Sequence, residues 1–340
     1  MNICAGIDTP TNRYTRNALD PRGYSFAKLK PANPETVKFK INVPITNFVE
    51  FKNKFTLRIQ NNLEQIFEQY GEKSCGLIEP MKYSSLNGSK YIRSLLIFAT
   101  GQALDINSKL LDQPATAIEL IHSYTLIHDD LPCMDDDEIR RGVPSCHIAF
   151  GESSAILAGD ALQSLAFEIL SSKNHEEISD ETRLNWVNYL SASIGVNGVA
   201  GGQYLDLSIN SKNVELDELK KIYYLKTANL IAPCIMLPYM LDKKYPLNFD
   251  KFLQFGLTLG LSFQIKDDLL GYTSTSDVLG KTKNKDELRN QPNYVNILGV
   301  ENTAELLKNN QREMREILEE IGFKNTILSE IVSYIFDRNF

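Results

Sequence analysis

The sequence predicts an all-α fold, in which long helices form one large domain. Apolar residues recur at helical spacings over most of the chain, and no pattern indicates a β-hairpin or alternating strands and helices. The chain has 340 residues, of which 43% are hydrophobic, and this is enough for a sizeable core. We therefore expect residues 46–340 to form the domain and residues 1–45 to form an N-terminal extension.

The helices follow from the apolar spacing. Every fourth residue is apolar in the first stretch, at Phe51, Phe55, Ile59, Leu63 and Phe67. A second helix is predicted after Pro114, because proline suits the first turn of a helix. The same criterion predicts a helix around residues 252–263 and two amphipathic helices over residues 301–321 and 325–337.

The first 45 residues differ from the rest. They contain five prolines with scattered threonine and asparagine and show no helical period, which predicts an extended or disordered leader. The leader is poor in acidic residues and carries several arginines and lysines. A plain extension of a cytoplasmic protein and an organellar targeting peptide are therefore both open interpretations.

Composition disfavours several classes of protein. No apolar run reaches the roughly 18 residues of a membrane-spanning helix, and the net charge of −7 disfavours nucleic-acid binding. The five cysteines form no CxxC pair, which indicates reduced thiols. An acidic protein can still bind a polyanion where metal ions and a local group of Lys and Arg meet it.

A dense acidic cluster follows the helix predicted after Pro114. Six carboxylates lie within residues 129–138, and Arg140 and Arg141 come directly after them. Such runs are usually solvated loops, but here negative charge lies at a helix C-terminus, where it needs compensation. We expect Pro132 to break the helix, so that Asp135 returns to the side of Asp129.

A second acidic pair, Asp267 and Asp268, ends another apolar stretch about 130 residues later. Carboxylates at two helix ends that face one cavity could bind several Mg²⁺ ions, because Mg²⁺ prefers oxygen ligands and accepts substrate phosphates into its shell. The two clusters together therefore predict a magnesium site for a ligand that carries phosphate groups.

These motifs resemble those of the trans-type prenyl diphosphate synthase family, with farnesyl diphosphate synthases of the bacterial type the most similar members. Asp129-Asp130-x4-Asp135, Arg140-Arg141-Gly142 and Asp267-Asp268 match in order. Further matching segments are Gly88–Arg93, Ala158–Leu162, Ala200–Asp206, Lys226-Thr227, Gly280–Thr282 and the end of the chain from Tyr334. The likeness extends from about residue 46 to the C-terminus.

The resemblance implies the isoprenoid synthase fold, a bundle of roughly ten core helices around a deep central cavity, usually as a homodimer. It implies a prenyltransferase that joins isopentenyl diphosphate to dimethylallyl or geranyl diphosphate and releases farnesyl diphosphate. The implied cofactor is Mg²⁺, as three ions. Neither nucleic acid nor a membrane span is expected.

The resemblance also assigns roles to individual residues. The implied metal ligands are Asp129, Asp135 and Asp267, with Asp130 and Asp268 beside them. The implied ligands of the allylic diphosphate are Arg140, Lys226 and Lys281. Those of isopentenyl diphosphate are Lys90, Arg93, His122 and Arg141. Thr227 and Gln264 are implied near the allylic carbon, as catalytic residues together with Asp129, Asp135, Lys226 and Asp267.

Tyr124 is the residue implied to set product length. It lies five residues before Asp129, where a large aromatic side chain commonly closes the bottom of the tail cavity in this family. An ordinary core position is the alternative interpretation. A closed cavity favours the fifteen-carbon product.

The chain also departs from the family pattern. Ser89, Tyr91 and Ser94 interrupt the usual Gly-Gly-Lys-Arg-x-Arg-Pro element, and Gly271 replaces the last aspartate of the second acidic motif. Further on, Asn284 replaces a common glycine and Gln291 a common lysine. The Gly271 replacement is expected to weaken metal binding, and the Gln291 replacement is expected to weaken binding of the allylic diphosphate.

Three alternatives remain open. A geranylgeranyl diphosphate synthase would share every motif and differ in the depth of its cavity. A terpene cyclase would share the first acidic motif but would not need Lys90, Arg93 and His122 for a second diphosphate. A non-catalytic subunit of a heteromeric synthase is mildly favoured by Gly271 and Gln291 and disfavoured by the intact first motif.

Overall fold

The protein was examined as a computed structural model, which describes residues 47–71, 76–209, 214–273 and 292–338. The predicted all-α class is confirmed. The helices in chain order are α1 Phe48–Gly71, α2 Ile78–Leu86, α3 Ile92–Ala103, α4 Asp112–Asp129, α5 Cys146–Phe150, α6 Glu152–Ser171, α7 Asp180–Ile194, α8 Val199–Ser208, α9 Leu216–Tyr223, α10 Asn229–Tyr239, α11 Phe249–Thr273, α12 Tyr294–Leu298, α13 Val300–Ile321 and α14 Ile327–Asp337.

The helices predicted from apolar spacing are all present. In α1, the five residues with four-residue spacing are the buried ones, so one face of this helix packs on the core. Pro114 lies in the first turn of α4, as predicted. Both amphipathic helices near the C-terminus, α13 and α14, begin within two residues of their predicted starts.

Helix α10 lies at the centre of the bundle. All eleven residues of α10 are buried, and α10 packs against α3, α7 and α11. Helix α4 packs along α6. The two approach closely at Gly159 of α6, where an added Cβ atom would lie 2.1 Å from Nε2 of His128. The acidic C-terminal end of α4 is thereby fixed against its neighbour.

One expectation about strands was wrong. A short antiparallel hairpin joins β1 Ile139–Arg140 to β2 Val143–Pro144, although the sequence indicated no hairpin. Its two-residue turn has positive φ at both positions, 52° at Arg141 and 81° at Gly142. Such a turn suits the twist of a hairpin but usually contains Asn or Asp where this chain has arginine, so the sequence signal is weak.

Several predictions concern residues outside the described ranges. The N-terminal extension of residues 1–45 is one, and the segment with Lys281, Asn284 and Gln291 is another. In the described ranges, no helix is both long and apolar enough to cross a membrane.

Candidate active site

The end of α4 brings Asp129 and Asp135 together. The helix ends at Asp129, and the chain turns back so that the Asp135 backbone N–H donates to the Asp129 carbonyl oxygen at 2.8 Å. This confirms the return expected from Pro132. Asp136 is exposed, and its φ of 49° lies in the left-handed region. Asp135 is therefore the neighbour of Asp129 in this turn.

Asp129 is a carboxylate in an unfavourable surrounding. Burial raises its pKa to about 6, and the charges of Asp135 and Asp130 act in the same direction, whereas Lys226 and Arg140 oppose them. A divalent cation would relieve this repulsion. In the described part of the chain, no three His, Cys, Asp or Glu side chains are arranged to hold a metal ion. Mg²⁺ fits nevertheless, because it accepts one or two carboxylates and takes its other ligands from water and phosphate.

Asp130, the adjacent residue, has a different partner. It is 2% exposed, and Nε of Arg140 donates to its two oxygens at 3.0 and 3.1 Å, with a further short contact from Nη2. Asp137 lies 3.4 Å from the same Nη2 atom. Burial lowers the pKa of Arg140, but the acidic neighbours outweigh this and raise it. Asp130 thus fixes the guanidinium of Arg140 rather than pointing into open space.

The residues implied to bind isopentenyl diphosphate gather beside the hairpin. Arg141 donates through Nη1 to the Asn87 carbonyl oxygen at 3.2 Å, and its Nη2 lies 3.5 Å from Nε2 of His122. Burial is the main cause that lowers the pKa of Arg93, Arg141 and His122. For His122, the charges of the neighbouring arginines lower the pKa further, so that its ring is neutral near pH 7. Lys90 is exposed just before α3.

Two atoms in this group are shielded from solvent and have no hydrogen-bond partner among the described protein groups. They are Nε of Arg93 and Nδ1 of His122. Buried polar atoms in proteins are nearly always paired. Unpaired nitrogen atoms on an arginine and a histidine are therefore suited to a ligand with several oxygen acceptors, such as a diphosphate.

Gly88 allows the hairpin to approach the start of α3. Its φ is 62°, and an added Cβ atom would lie 3.1 Å from Cβ of Arg141. A larger residue would be strained by the backbone conformation and would also press on Arg141. This glycine therefore holds the segment with Lys90 and Arg93 next to Arg141.

Glu119 belongs to this region and was not identified from the sequence. It is 2% exposed and accepts the backbone N–H of Ser94 at 2.9 Å, in the first turn of α3. Burial raises its pKa, while this hydrogen bond and the charges of Arg93 and Arg141 lower it. A signal was available, because Glu119 is the sole acid between Asp112 and Asp129 in an apolar helix and lies three residues before His122.

Lys226 and Thr227 lie in a π-helical turn, Tyr224–Ala228, between α9 and α10. The ammonium of Lys226 pairs with Asp206 of α8 at 2.6 Å. Burial lowers the pKa of Lys226, but Asp206, Asp129 and Asp135 outweigh this effect and raise it. Lys226 thus connects α8 electrostatically with the first acidic cluster.

Thr227 donates through its hydroxyl to Oε1 of Gln264 on α11 at 3.1 Å. The two residues implied near the allylic carbon are therefore direct neighbours. Single-turn π-helical segments occur often at functional sites. This one contains Lys226 and Thr227, and the resemblance implies a role for both.

Two residues of α8, Gln203 and Asp206, belong to the segment Ala200–Asp206, which matches the family but has no role assigned by the resemblance. Asp206 is the partner of Lys226 described above. Gln203 is 8% exposed, and neither its amide nitrogen nor its amide oxygen has a hydrogen-bond partner among the described groups. Their shared segment, Ala200–Asp206, was the available signal, but sequence alone does not show which residues α8 faces.

The two aspartates of the second cluster also have different partners. Arg338 donates to Oδ1 of Asp267 at 2.7 Å. Oδ2 of Asp268 accepts the Tyr223 hydroxyl at 2.8 Å and the Tyr294 backbone N–H at 3.0 Å. Burial raises the pKa of Asp268 to about 6, and these hydrogen bonds oppose the shift. Asp268 therefore ties α9 and α12 to α11, which is a structural task that the sequence did not predict.

The implied site residues that the structure describes converge on one region. Lys226 interacts electrostatically with Asp129 and Asp135, and Arg93 interacts with Asp267. Tyr124 lies beside α6: its ring packs edge-on against His128 with centroids 5.8 Å apart, and its hydroxyl bonds to Gln163. Lys281 lies outside the described residues, so its role stays a prediction.

Comparison with known proteins identifies the family of this chain. The sequence pattern of the family described as polyprenyl synthetase matches residues 75–335. Farnesyl diphosphate synthase of Escherichia coli (strain K12) is 40% identical over 271 residues, which cover 77% of this chain and 89% of that protein. The corresponding Haemophilus influenzae protein is 39% identical over 297 residues, with 86% and 99% covered.

A solved structure gives the same result. The crystal structure of geranyltransferase from Legionella pneumophila superposes with a TM-score of 0.77 at 29% identity, covering 86% of this chain and 97% of that one. The match extends over almost the whole of the known protein, and the two chains are similar in sequence as well as in fold. The chain therefore belongs to the polyprenyl synthetase family and is a prenyltransferase.

Proposed function

We propose that the chain condenses isopentenyl diphosphate with dimethylallyl or geranyl diphosphate and that its main product is farnesyl diphosphate. The observation that carries this proposal is that the basic side chains near the acidic clusters fall into two groups with different contacts. Arg93, His122 and Arg141 form one group, and Lys226 with Arg140 forms the other. Two separate basic groups suit two diphosphates, and relatives named farnesyl diphosphate synthase favour the fifteen-carbon product.

The allylic diphosphate is assigned to the side of Asp129. Asp129, Asp135 and Asp267 would hold Mg²⁺, with Asp130 and Asp268 behind them as supports. When bound, Mg²⁺ supplies Lewis-acid stabilisation of the departing diphosphate. Lys226 and Lys281 add point charges to the same group, and Arg140, oriented by Asp130, presents a planar fork of donors. Asp206 keeps Lys226 charged and in place.

Isopentenyl diphosphate is assigned to Lys90, Arg93, His122 and Arg141. The unpaired Nε of Arg93 and Nδ1 of His122 support this assignment, because both are shielded from solvent and suited to phosphate oxygens. Arg141 is held by the Asn87 carbonyl group and lies against His122. Exposed Lys90 can reach the same anion from the surface.

The carbon chemistry takes place between the two diphosphates. Loss of the allylic diphosphate leaves an allylic cation, and the dipoles of Thr227 and Gln264 stabilise it from the protein side. The double bond of isopentenyl diphosphate attacks this cation, and the new bond is complete when a proton is lost, which the released diphosphate can accept. Exclusion of water protects the cation from hydrolysis.

The decisive experiment combines product analysis with a pair of matched variants. The purified chain alone, given radiolabelled isopentenyl diphosphate and geranyl diphosphate, should produce farnesyl diphosphate. Arg93→Ala should raise KM for isopentenyl diphosphate more than KM for the allylic substrate, and Lys226→Ala should do the reverse. Equal effects of each variant on both substrates would contradict the two separate sites.

The same assay tests the alternatives. A mainly twenty-carbon product would make the chain a geranylgeranyl diphosphate synthase. Absence of turnover by the chain alone, with turnover restored by a second subunit, would make it a non-catalytic partner.

Two further properties belong to the proposal. A homodimer is proposed from the family resemblance and from the prevalence of two-fold oligomers. The exposed apolar residues Ile148, Ile156 and Leu157 on α5 and α6 give a second copy a surface to cover. The proposed compartment is the cytoplasm, which localisation of the full-length chain, with and without residues 1–45, would test.

A further inference from the structure

Arg338 connects the last described helix to the second acidic cluster. It follows α14 directly, and its Nη2 atom donates to Oδ1 of Asp267 at 2.7 Å. The resemblance assigns no role to this arginine. The ion pair joins two positions 71 residues apart in sequence, so the position of α14 and the orientation of Asp267 depend on each other.

Arg338 is also held on α11 by contacts that do not involve Asp267. Its Nη2 atom donates to the carbonyl oxygen of Phe263 at 3.0 Å, and its guanidinium lies 4.0 Å above the centre of the Phe263 ring. A guanidinium over an aromatic face is attractive. Because Phe263 and Asp267 are four residues apart on one helix face, Arg338 spans a single turn of α11.

The two partners differ in how firmly they are held. The side chain of Asp267 is 40% exposed, whereas that of Arg338 is 18% exposed. An exposed carboxylate adopts the rotamer that its contacts favour. The anchored guanidinium of Arg338 therefore favours one orientation of the Asp267 carboxylate.

We propose that Arg338 is a positioning residue that orients Asp267 for metal binding. This inference rests on the proposed role of Asp267 as a metal ligand. Carboxylates that bind metals are commonly oriented by hydrogen-bond donors behind them, and Arg338 has that geometry. The opposite role, a cation that competes with the metal for the Asp267 carboxylate, predicts tighter metal binding when the guanidinium is removed, and the test below distinguishes the two roles.

The rest of the second cluster makes this orientation important in this chain. Oδ2 of Asp268 accepts hydrogen bonds from Tyr223 and Tyr294. Gly271, one turn after Asp267, carries no side chain where the family usually has an aspartate. Asp267 is thus the carboxylate on which the metal affinity of this cluster chiefly depends, and an error in its orientation is not compensated by Gly271.

The test measures metal binding rather than turnover. Binding of Mn²⁺ to the full chain in the presence of inorganic diphosphate would be followed by electron paramagnetic resonance. Asp267→Asn identifies the part of the binding that depends on Asp267. Arg338→Gln should weaken that part about 10-fold, the lower end of the range for such supporting residues, and Arg338→Lys should restore some of it.

Two controls isolate the orienting effect. In the Asp267→Asn background, Arg338→Gln should have no further effect on Mn²⁺ binding. Lys266→Gln removes a positive charge beside Asp267 without removing the ion pair, and should leave binding unchanged or slightly tighter. Far-ultraviolet circular dichroism of each variant before titration verifies that the helices are retained.

The outcomes separate this inference from the proposed function. If Asp267→Asn weakens Mn²⁺ binding and Arg338→Gln leaves it unchanged or tightens it, Asp267 is a ligand and the role of Arg338 is wrong. If Asp267→Asn has no effect, the metal role of Asp267 fails, and the inference fails with it.

Discussion

Asp129 and Asp130 are adjacent in sequence and have opposite surroundings. Asp130 is buried against the guanidinium of Arg140. Asp129 has a pKa of about 6, because burial and the charges of Asp135 and Asp130 outweigh the opposing charges of Lys226 and Arg140. The first arrangement is satisfied within the protein, and the second calls for an added cation. Two neighbouring carboxylates can therefore divide the tasks of fixing an arginine and binding a metal.

This division predicts the effect of Asp129→Ala. Turnover should fall about 100-fold or more, because electrostatic stabilisation of the departing diphosphate is lost, while circular dichroism should show an unchanged fold. Asp136→Asn is the matched control, since Asp136 belongs to the same acidic run but is exposed, and it should retain near-normal turnover. Similar losses in both variants would mean that the total charge of the loop matters rather than the position of Asp129.

Gly271 allows a gain-of-function test. Among the described residues, no atom would lie within 4 Å of a Cβ atom added at Gly271, so the described part of the chain leaves room for the start of an aspartate side chain there. Gly271→Asp should lower the Mg²⁺ concentration for half-maximal rate severalfold, because it restores a carboxylate one turn from Asp267. Gly271→Asn is the uncharged control and should leave the Mg²⁺ dependence as it is. An unchanged dependence in the aspartate variant would show that this position does not reach the metal.

For individual residues, the sequence predicted contacts between residues that are close in sequence. The return of Asp135 to Asp129 followed from Pro132, within one turn of chain. The partners of the same carboxylates come from distant segments: Tyr223 lies 45 residues from Asp268, and Arg338 lies 71 from Asp267. No local pattern encodes such pairs, because they are created when helices pack.

Among the elements, the π-helical turn at Tyr224–Ala228 depends on two glycines in neighbouring helices. A Cβ atom on Gly202 of α8 would lie 2.4 Å from the backbone nitrogen of Lys226. One on Gly260 of α11 would lie 2.5 Å from Cα of Ala228. The turn is thus enclosed on two sides by backbone that approaches without side chains.

Gly202→Ala should therefore displace Lys226 and destabilise the fold. The clash is with backbone, which cannot rotate away, so the free energy of unfolding should fall by about 1–3 kcal/mol, and KM for the allylic substrate should rise. Gly271→Ala is the control, because it makes the same change in a helix with open space, where stability should rise by about 0.5–1 kcal/mol. Denaturant titration measures both, and equal stabilities of the two variants would contradict the close packing.

Tyr124 belongs to the interface between α4 and α6. Its ring lies against His128 and its hydroxyl bonds to Gln163 of α6. Removal of the ring in Tyr124→Ala should open space about one and a half turns below Asp129, since a helix rises about 1.5 Å per residue, and should shift products toward twenty carbons. Thr125→Ala is the matched neighbour, and its smaller change should leave chain length nearly unaltered. Chromatography of the dephosphorylated products measures the shift, and an unchanged distribution in Tyr124→Ala would move the floor of the cavity to another residue.

The helices were predictable from the sequence, whereas the hairpin at Ile139–Arg140 and Val143–Pro144 was not. A long amphipathic helix such as α1 places an apolar residue at every fourth position several times in succession, and this repetition makes the prediction of a helix reliable. Strands of two residues contain no such repeat, and the positive φ of Arg141 is not a conformation that its residue type predicts.

Considered as a whole, the molecule brings the C-terminal halves of helices together with the segments between helices. The C-terminal halves of α4 and α11, the end of α14, the start of α3 and the turn before α10 all contribute to one region. Motifs that are spread over more than 200 residues in sequence therefore lie close together in the fold. The fold class was predictable because it depends on the apolar pattern, but the contacts between helix ends were not.

The proposed homodimer is a property of the whole molecule that can be tested in solution. The full chain should behave as a dimer of about twice 38.5 kDa by light scattering at micromolar concentration. Leu157→Asp places a charge on a residue that is 55% exposed in the single chain. It should promote dissociation if α6 lies in the interface, while Leu57→Asp on α1 serves as the exposed control. A monomeric mass for the unaltered chain would exclude the homodimer.

The unpaired atoms of Arg93, His122 and Gln203 have a consequence for the lifetime of the protein in a cell. Each buried polar atom without a partner costs about 1–3 kcal/mol, and a substrate that pairs with them binds the folded chain but not the unfolded one. The chain should therefore open less often, and resist proteases longer, when ligands that pair with these atoms are bound.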